Sequence, residues 1–182
     1  MTIIDGLRDD VQYYRPLYNI SQIEVLRGSN ALLFGRGGGG GVINRVQKKP
    51  EIGKTFAMIS TGADTFGAHS TNLDVNVQAG SNHAFRLNAY YQGLANHRDF
   101  FDGDGYAVNP TYRLQLDSGT TFDVSYEHVQ DDRVFDRGVP SRAVADGPDV
   151  PLEGYRDTFF GSPRESYTTL EANILRARVD HE

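Results

Sequence analysis

From residue 55 onward, apolar and polar residues alternate with a period of two over several long segments. In the clearest of them, four apolar residues alternate with four polar ones: Phe85, Leu87, Ala89 and Tyr91 with Arg86, Asn88, Tyr90 and Gln92. Successive side chains of a strand point to opposite faces of a sheet, so this period is that of β-strands. The alternation recurs over residues 71–79, 112–117 and 122–127. These segments predict an antiparallel sheet with one apolar face and one face rich in charges and amides.

The connections between these segments alternate in length. Short turns are expected near residues 81 and 118, and longer polar links over residues 95–107 and 131–165. Short turns at one edge and long loops at the other are typical of outer-membrane barrels, in which an apolar face contacts lipid and a polar face lines the interior. A soluble antiparallel sheet with one solvated face shows the same alternation. The alternation alone therefore leaves both interpretations open.

Two segments lack one clean apolar face. Over residues 56–59 the two parities are equally apolar, and over residues 167–180 the apolar parity changes between Ile174 and Leu175. A β-bulge at 174–175 would reconcile the two halves of the second segment, since a bulge shifts every later side chain to the other face. Alternatively, only part of that segment faces the apolar environment.

The first 50 residues follow a different pattern. Residues 13–16 form a predicted loop, and Ile23–Leu26 and Val42–Val46 are predicted short strands. Residues 29–34 are compatible with one helical turn capped by Ser29. The five consecutive glycines at 37–41 are unfavourable in regular structure, because glycine loses the most backbone freedom on ordering. This region is therefore predicted to be a small α+β unit that Pro50 closes.

Residues 23–50 read IEVLRGSNALLFGRGGGGGVINRVQKKP. This string resembles the plug domain of TonB-dependent outer-membrane receptors, which reads close to IEVLRGPSSLLFGRGSxGGVINxVxKxP. The residues that carry the resemblance are Glu24, Arg27, Gly28, Phe34, Gly35, Gly40, Gly41 and Asn44. The resemblance implies that residues 1–50 are the C-terminal part of a plug and residues 51–182 the first five or six strands of a barrel. The implied fold is mainly β, with a small α+β plug portion followed by antiparallel meander strands of an incomplete outer-membrane β-barrel.

The resemblance also implies a function for the whole receptor. Receptors of this kind have roughly 22 strands around a plugged lumen. They take up ferric siderophores across the bacterial outer membrane, driven by the TonB–ExbB–ExbD complex, and they need no cofactor besides the transported ligand. The implied partners are thus a ferric siderophore, the TonB complex and outer-membrane lipid. The excess of 24 Asp and Glu over 18 Lys and Arg argues against a nucleic-acid partner.

Plug loops of such receptors face the outside and help to bind the siderophore, which indicates several candidate ligand residues. Arg36 lies on the glycine-rich loop, directly after Phe34 and Gly35, and a guanidinium there would suit an anionic, oxygen-rich chelate; a salt bridge to the barrel wall is the alternative. Tyr13, Tyr14 and Arg15 lie where another plug loop is expected, and an aromatic and basic cluster suits catechol or hydroxamate groups. Arg137 lies in a predicted long loop whose sequence also resembles siderophore receptors.

A plug within a polar lumen is expected to make charged contacts with the wall. We expect Glu24, Arg27 and Arg45 to provide them. Their possible partners on the polar strand faces are Asp74, Arg86, Arg113, Asp123 and Glu127.

Other chemistry is weakly represented. The chain has no cysteine, its five histidines are scattered, and no catalytic constellation occurs, so we expect neither an enzyme nor a metal site. The segment 102–105 faintly resembles a calcium loop but lacks further acidic ligands, which favours a polar loop tip. A soluble β-rich binding or adhesin domain remains the alternative function. The start of the chain has no signal-peptide pattern, so we expect an internal piece or a truncated product.

Overall fold

The computed structural model describes residues 2–9, 13–28, 41–145 and 147–181. Within these ranges the chain forms strands and no helix. The strands are β1 (Thr2–Ile4), β2 (Leu7–Arg8), β3 (Ile20–Leu26), β4 (Val42–Gln47), β5 (Phe56–Ala63), β6 (His69–Gln78), β7 (His83–Ala95), β8 (Asp102–Gln115), β9 (Thr120–Val134), β10 (Ser141–Val144), β11 (Gly147–Pro151) and β12 (Tyr167–His181). No helix in the part of the chain that the structure describes is long and apolar enough to cross a membrane.

The N-terminal strands form a small sheet in the order β2-β1-β4-β3. The hairpin between β1 and β2 turns at Asp5 and Gly6, whose φ angles are 47° and 83°. Two residues with positive φ are what a tight hairpin turn requires, and Asp-Gly adopts it readily. Ile3 and Val42 are buried between the strands and pack with Leu26. The two short strands predicted on either side of the glycine-rich segment are thus adjacent strands, β3 and β4. The predicted helical turn at 29–34 lies outside the described residues.

Six longer strands form a large antiparallel sheet in the order β12-β9-β8-β7-β6-β5. The turns at 79–82 and 116–119 lie at one end of this sheet, the short-turn end. The links at 64–68, 96–101 and 135–166 lie at the other, the long-loop end, and the last of them contains the β10–β11 hairpin. The sheet is open, with β5 and β12 as its edges. β4 ends at Gln47 and β5 begins at Phe56, while the domain division at residue 50 stays a prediction.

The two faces of the large sheet differ in chemistry. The inner face, which the N-terminal segment covers, carries nine buried polar residues: Asp74, Asn76, Arg86, Asn88, Asn109, Thr111, Asp123, Glu127 and Asp131. The outer face carries exposed apolar residues, among them Val77, Phe85, Leu87, Tyr91, Val108, Phe122, Val124, Tyr126, Leu175 and Val179. This distribution is the reverse of that in a soluble sheet, whose apolar face is covered.

The segment 102–105 is part of a strand, so its interpretation as a polar loop tip was wrong. Asp102 pairs with Ala95 and Gly105 with Gln92, which extends β8 to the long-loop end. Gly103 has a φ of 155°, and a Cβ on it would lie 2.5 Å from the carbonyl oxygen of Asp132. Glycine here permits the close approach of β8 to β9. The link predicted over 95–107 accordingly shortens to 96–101.

Of the two alternatives for residues 167–180, the bulge at 174–175 is absent. β12 pairs with β9 residue for residue, from Tyr167 opposite Val134 to His181 opposite Thr120, without a shift of register. The apolar parity changes because Leu170 and Ala172 pack inward against an apolar cluster, whereas the later apolar residues face outward. The inner face of β12 is therefore apolar in the first half of the strand, and the outer face is apolar in the second half.

Candidate functional site

The loop before β3 is held against the inner face at Glu127. The Asn19 side-chain amide donates hydrogen bonds to Glu127 Oε1 at 3.0 Å and to Asn109 Oδ1 at 3.2 Å. The Tyr18 hydroxyl donates to the same Glu127 oxygen at 3.4 Å, and Arg176 Nη1 donates to the other oxygen at 2.8 Å. Burial and the Glu127 carboxylate raise the pKa of Tyr18, so the hydroxyl stays protonated and acts as a donor. The Glu127 carboxylate and the Asn19 amide thus together join the N-terminal loop to three strands of the large sheet.

Aromatic packing reinforces this contact. The Tyr18 and Tyr90 rings stack with their centroids 5.4 Å apart. Both rings are buried, with Ala107 and Val129 completing the cluster. Stacked rings that are also shielded from water contribute more than their buried area alone. The cluster is the main apolar contact between the loop and the large sheet.

The segment after β4 makes a second, ionic contact with the inner face. Lys48 Nζ lies 3.0 Å from Asp74 Oδ2, and Lys49 Nζ lies 3.9 Å from Asp123 Oδ2. Arg86 Nη1 donates a hydrogen bond to the Lys49 carbonyl oxygen at 2.8 Å. Two consecutive lysines therefore reach two different strands, β6 and β9, of the large sheet, which is called the wall below.

The linker that follows is fixed through its backbone. Asn76 accepts a hydrogen bond from the Glu51 amide at 2.9 Å, and its own amide donates to the carbonyl oxygens of Glu51 at 2.9 Å and Lys54 at 2.7 Å. The hydrogen bond from Lys54 lowers the pKa of the Glu51 carboxyl. A fully buried asparagine thereby satisfies the polar groups of an otherwise irregular segment.

The wall carboxylates that contact the N-terminal segment all have an arginine partner within the large sheet. The pairs are Asp74 with Arg86 at 2.8 Å and 2.9 Å, Asp123 with Arg113 at 2.7 Å for both bonds, and Glu127 with Arg176 at 2.8 Å. The first two pairs are bidentate, the strongest geometry for such a bond. The negative charge of these groups is therefore compensated within the wall, before the N-terminal segment contributes anything.

A third cluster lies at the long-loop end of the inner face. The Arg133 guanidinium carbon lies 4.3 Å from the centre of the Tyr14 ring, and the same guanidinium pairs with Asp131. Tyr90 and Gln92 lie close to each other nearby, and each buries a polar side-chain atom there. The cluster thus combines aromatic, cationic and amide groups.

Comparison with known proteins identifies the family. Residues 1–42 match the TonB-dependent receptor plug domain. Over 166 residues the chain is 31% identical to the metal-pseudopaline receptor CntO of Pseudomonas aeruginosa, which covers 89% of this chain and 22% of CntO. Over 142 residues it is 32% identical to the catecholate siderophore receptor Fiu of Escherichia coli, covering 76% of this chain and 18% of Fiu. The crystal structure of the siderophore receptor PiuA from Acinetobacter baumannii superposes on the whole chain with a TM-score of 0.88 and 26% identity, covering 26% of PiuA.

The chain belongs to the TonB-dependent receptors. It spans about a quarter of the length of CntO and PiuA. The small sheet corresponds to plug structure and the large sheet to barrel strands, which confirms the fold class expected from the sequence. The relatives carry the names of receptors.

The residues that define the plug motif stabilise the plug sheet itself. Asn44 donates a hydrogen bond to Glu24 at 2.7 Å, across adjacent strands, and accepts one from the Gly6 amide at 3.4 Å. Gly28 and Gly41 have positive φ angles of 63° and 112° at the two ends of the glycine-rich segment. These four residues therefore shape the sheet and its turns. Phe34, Gly35 and Gly40 lie outside the described residues.

The expected wall contacts of Glu24 and Arg45 were wrong. Glu24 bonds to neighbours in the plug sheet, and Arg45 pairs with Asp9. Both partners are close because β1, β3 and β4 are adjacent, which the sequence did not indicate. Arg27 lies just after β3, and its expected wall contact stays a prediction. The residues that do reach the wall include Tyr18, Asn19, Lys48 and Lys49.

The candidate ligand residues occupy different positions. Tyr14 belongs to the cluster at the long-loop end, with Arg133. Arg15 donates two hydrogen bonds of 2.6 Å to Asp9 and lies 4.0 Å above the Tyr13 ring, so it supports Tyr13 from within the plug. Arg137 is exposed on the long loop. Arg36 lies outside the described residues.

Sequence reasoning missed the wall side of the cluster. Tyr90 and Gln92 were predicted only as strand residues, and Arg133 was placed in the long link predicted over residues 131–165, whereas β9 continues to Val134. A detectable signal was present. Tyr90 and Gln92 lie on the polar face of a predicted strand, and Arg133 lies where another predicted strand meets a long loop. The two lysines were also detectable, as adjacent cations that directly precede Pro50 and the first wall strand.

Proposed function

We propose that the complete gene product carrying these residues is an outer-membrane receptor that imports ferric siderophores with energy from TonB. One observation carries this proposal: the large sheet exposes its apolar face and turns its polar face toward the plug. An exposed apolar face of this extent is stable against lipid and costly against water. A soluble adhesin would cover that face, so this alternative is not favoured.

The height of the apolar face is consistent with a membrane. On β7 the outer face is apolar or aromatic from Phe85 to Tyr91, and His83 opens the strand. Seven residues at about 3.4 Å each give roughly 24 Å along the strand. With a tilt of about 40° this is roughly 18 Å along the membrane normal, which is most of the apolar band of about 25 Å in outer-membrane barrels. The short-turn end then faces the periplasm and the long-loop end the outside.

The ligand we propose is an anionic, oxygen-rich ferric chelate bound at the long-loop end. Tyr13 and Tyr14 would contact it from the plug, Arg133 from the wall, and Arg36 and Arg137 from their loops. Aromatic rings pack on catechol groups, and guanidinium groups bind charged oxygens. Arg15 would act through Tyr13, because its guanidinium is already bound to Asp9. The protein is neither an enzyme nor dependent on a cofactor in this proposal.

Transport requires the plug to move relative to the wall, and the wall pairing makes this movement feasible. When Lys48 and Lys49 leave, Asp74 and Asp123 keep their arginine partners. No buried carboxylate is then left without a cationic partner. A buried charge without a partner would cost several kcal/mol. The TonB–ExbB–ExbD complex, using the proton-motive force, would supply the displacement.

The test is uptake of a radioactive ferric tris-catecholate and a ferric tris-hydroxamate by iron-starved cells. A strain lacking the gene should lose uptake of one of the two chelates, and the plasmid-borne complete gene should restore it. A protonophore should abolish uptake while leaving binding at the cell surface. Equal uptake of both chelates with and without the gene would refute the proposal for these classes, as would uptake that resists the protonophore.

A further inference from the structure

A cavity of about 420 Å³ lies between the plug and the wall, toward the short-turn end. The Asp5–Gly6 turn borders it on the plug side, and Asn109, Thr111 and Ser125 border it on the wall side. This volume lies within the range of small-molecule sites, which is about 300–1,000 Å³. The cavity is separate from the cluster at the long-loop end, since the contact of Asn19 with the wall lies between them.

The described residues that line this cavity carry an excess of positive charge. Four cationic side chains and two carboxylates take part: Lys48, Lys49, Arg176 and Arg178 with Asp5 and Asp123. The Asp123 carboxylate is additionally bound by Arg113 from behind. A cleft lined with one excess sign of charge raises the local concentration of ions of the opposite sign. Lys48, Arg176 and Arg178 are paired with Asp74, Glu127 and Asp180, but these three carboxylates are not lining residues. The surface that faces the cavity therefore presents more cationic than anionic groups to a ligand.

An independent observation indicates a ligand. Thr111 lines the cavity and is only 7% exposed, and its hydroxyl has no hydrogen-bond partner among the described residues. A buried hydroxyl without a partner is unfavourable unless water or a ligand satisfies it. An oxygen-rich solute would accept a hydrogen bond from this hydroxyl while its charge is compensated by Lys48 and Lys49.

We propose that this cavity is a second binding subsite, at which an anionic chelate is held after it has passed the contact between Asn19 and Glu127. This inference rests on the proposed function, because it assigns a later position on the path of the same ligand. The ligand class is a small anion that presents carboxylate or phenolate oxygens. The two lysines would thereby have two roles, contact with the wall at rest and contact with the ligand during passage.

The test uses cysteine accessibility in the complete gene product, because this segment contains no native cysteine. Ser125→Cys is placed in the cavity, in a background whose other cysteines, if any, are replaced by serine. Its rate of reaction is measured with an anionic sulfonate and a cationic trimethylammonium methanethiosulfonate. Ser81→Cys, on an exposed turn, is the matched control. We expect the ratio of anionic to cationic rates to be about tenfold higher at position 125 than at position 81.

The lysines provide the second arm. Lys48→Gln and Lys49→Gln should lower the rate ratio at position 125 toward that of the control. An unchanged ratio in the double variant, equal ratios at the two positions, or no reaction with either reagent would overturn the proposal. Thr111→Cys replaces Ser125→Cys if the latter protein does not insert.

The third arm separates this inference from the proposed function. In energised, iron-starved cells the imported ferric chelate should slow labelling at position 125 and leave labelling at position 81 unchanged. Import without protection would refute the subsite and leave the proposed function intact. Absence of import would refute the proposed function and, with it, the assignment of the chelate to this cavity, whatever the charge preference of the cavity.

Discussion

At the residue scale, the informative feature is the way in which buried charges are compensated. Asp123 and Glu127 have arginine partners inside the wall, and the plug adds lysines, an amide and a hydroxyl to these pairs. Removing one member of a buried pair is far more destabilising than removing an exposed pair, because the remaining charge cannot be solvated. The arginines should therefore determine the stability of the wall, and the plug residues its affinity for the plug.

Arg176→Met tests this distribution of charge. It leaves Glu127 buried, with only the neutral donors Asn19 and Tyr18, so we expect a loss of about 3 kcal/mol in the free energy of unfolding. Arg178→Met on the same strand removes an exposed pair with Asp180, whose charge stays solvated, so the effect should be much smaller. Thermal unfolding of the complete gene product in detergent measures both. Equal effects of the two variants would show that Glu127 is not buried in the complete protein.

Gly103 provides a second test at this scale. Gly103→Ala should destabilise by about 2–3 kcal/mol, because the new methyl group meets the Asp132 carbonyl oxygen and the backbone has a positive φ. Gly154→Ala also has a positive φ, but its methyl group meets nothing within 4 Å, so only the backbone strain of about 1 kcal/mol remains. The comparison uses denaturant unfolding of the complete gene product. A cost at Gly103 no larger than at Gly154 would mean that β8 and β9 are further apart than described.

At the scale of the elements, each long strand has two chemically distinct faces, and β12 shows how these faces depend on what they contact. Its inner residues Leu170 and Ala172 meet the cluster around Tyr18, whereas Leu175 is 74% exposed on the outer face. In the first half of β12 the apolar residues thus pack against protein. In the second half they belong to the exposed apolar band on the outer face of the large sheet, called the outer band below. The continuous register with β9 requires no bulge for this change.

The outer band predicts a depth-dependent cost of charge on β12. Leu175→Arg should cost about 2–4 kcal/mol of folding free energy in lipid vesicles, because the guanidinium would lie within the apolar band. Glu171→Arg is on the same face of the same strand, four residues nearer the long-loop end, and should cost under about 1 kcal/mol. Equal costs at the two positions would contradict the membrane assignment of this face.

At the scale of the whole molecule, the plug and the wall are joined by segments outside the strands. The loop at 18–19 and the linker at 48–54 carry the polar contacts, so the plug sheet can move as a unit if these contacts break. Such contacts are exchanged for water or for wall partners at modest cost, whereas the strands of each sheet keep their own hydrogen bonds. Breakable contacts in the loop and linker, together with stable hydrogen bonds within each sheet, are what a plug needs if it is to be both held and displaced.

A disulfide-linked bridge between plug and wall should block this displacement. Asn19 Nδ2 and Asn109 Oδ1 are 3.2 Å apart, so cysteines at these two positions should be bridged through disulfide bonds by a short bis-methanethiosulfonate reagent. We expect uptake of the chelate to fall at least about tenfold, which corresponds to 1.4 kcal/mol, with recovery after reduction. Binding at the cell surface should persist. Each single cysteine variant is the control, and uptake by the crosslinked protein at the rate of the controls would exclude movement at this contact.

The alternation of polar and apolar residues was sufficient to predict the clearest strands of the large sheet, their antiparallel order and the polar character of one face, while the number of strands was expected to be five or six. The plug motif was sufficient to predict the family, because its residues form a dense local unit around two adjacent strands. The contacts of Lys48 and Asn19 were not predictable in this way, since they join segments separated by 26 to 108 positions. The role of Asp102–Gly105 was missed for a similar reason. Glycines that allow two strands to approach closely give the same Asp-Gly sequence pattern as a turn.

What the sequence determined by itself is therefore local: period-two strands, tight turns at Asp5–Gly6 and residues 116–119, and the two faces of each strand. The physical reason is that strand periodicity and turn geometry depend on neighbouring residues alone. Only the tertiary structure decided which carboxylate pairs with which arginine, which face of β12 is covered in each half, and where a positively charged cavity remains. Those outcomes depend on the register between strands and on the fit of the plug against the wall, where a shift of one residue would replace every partner.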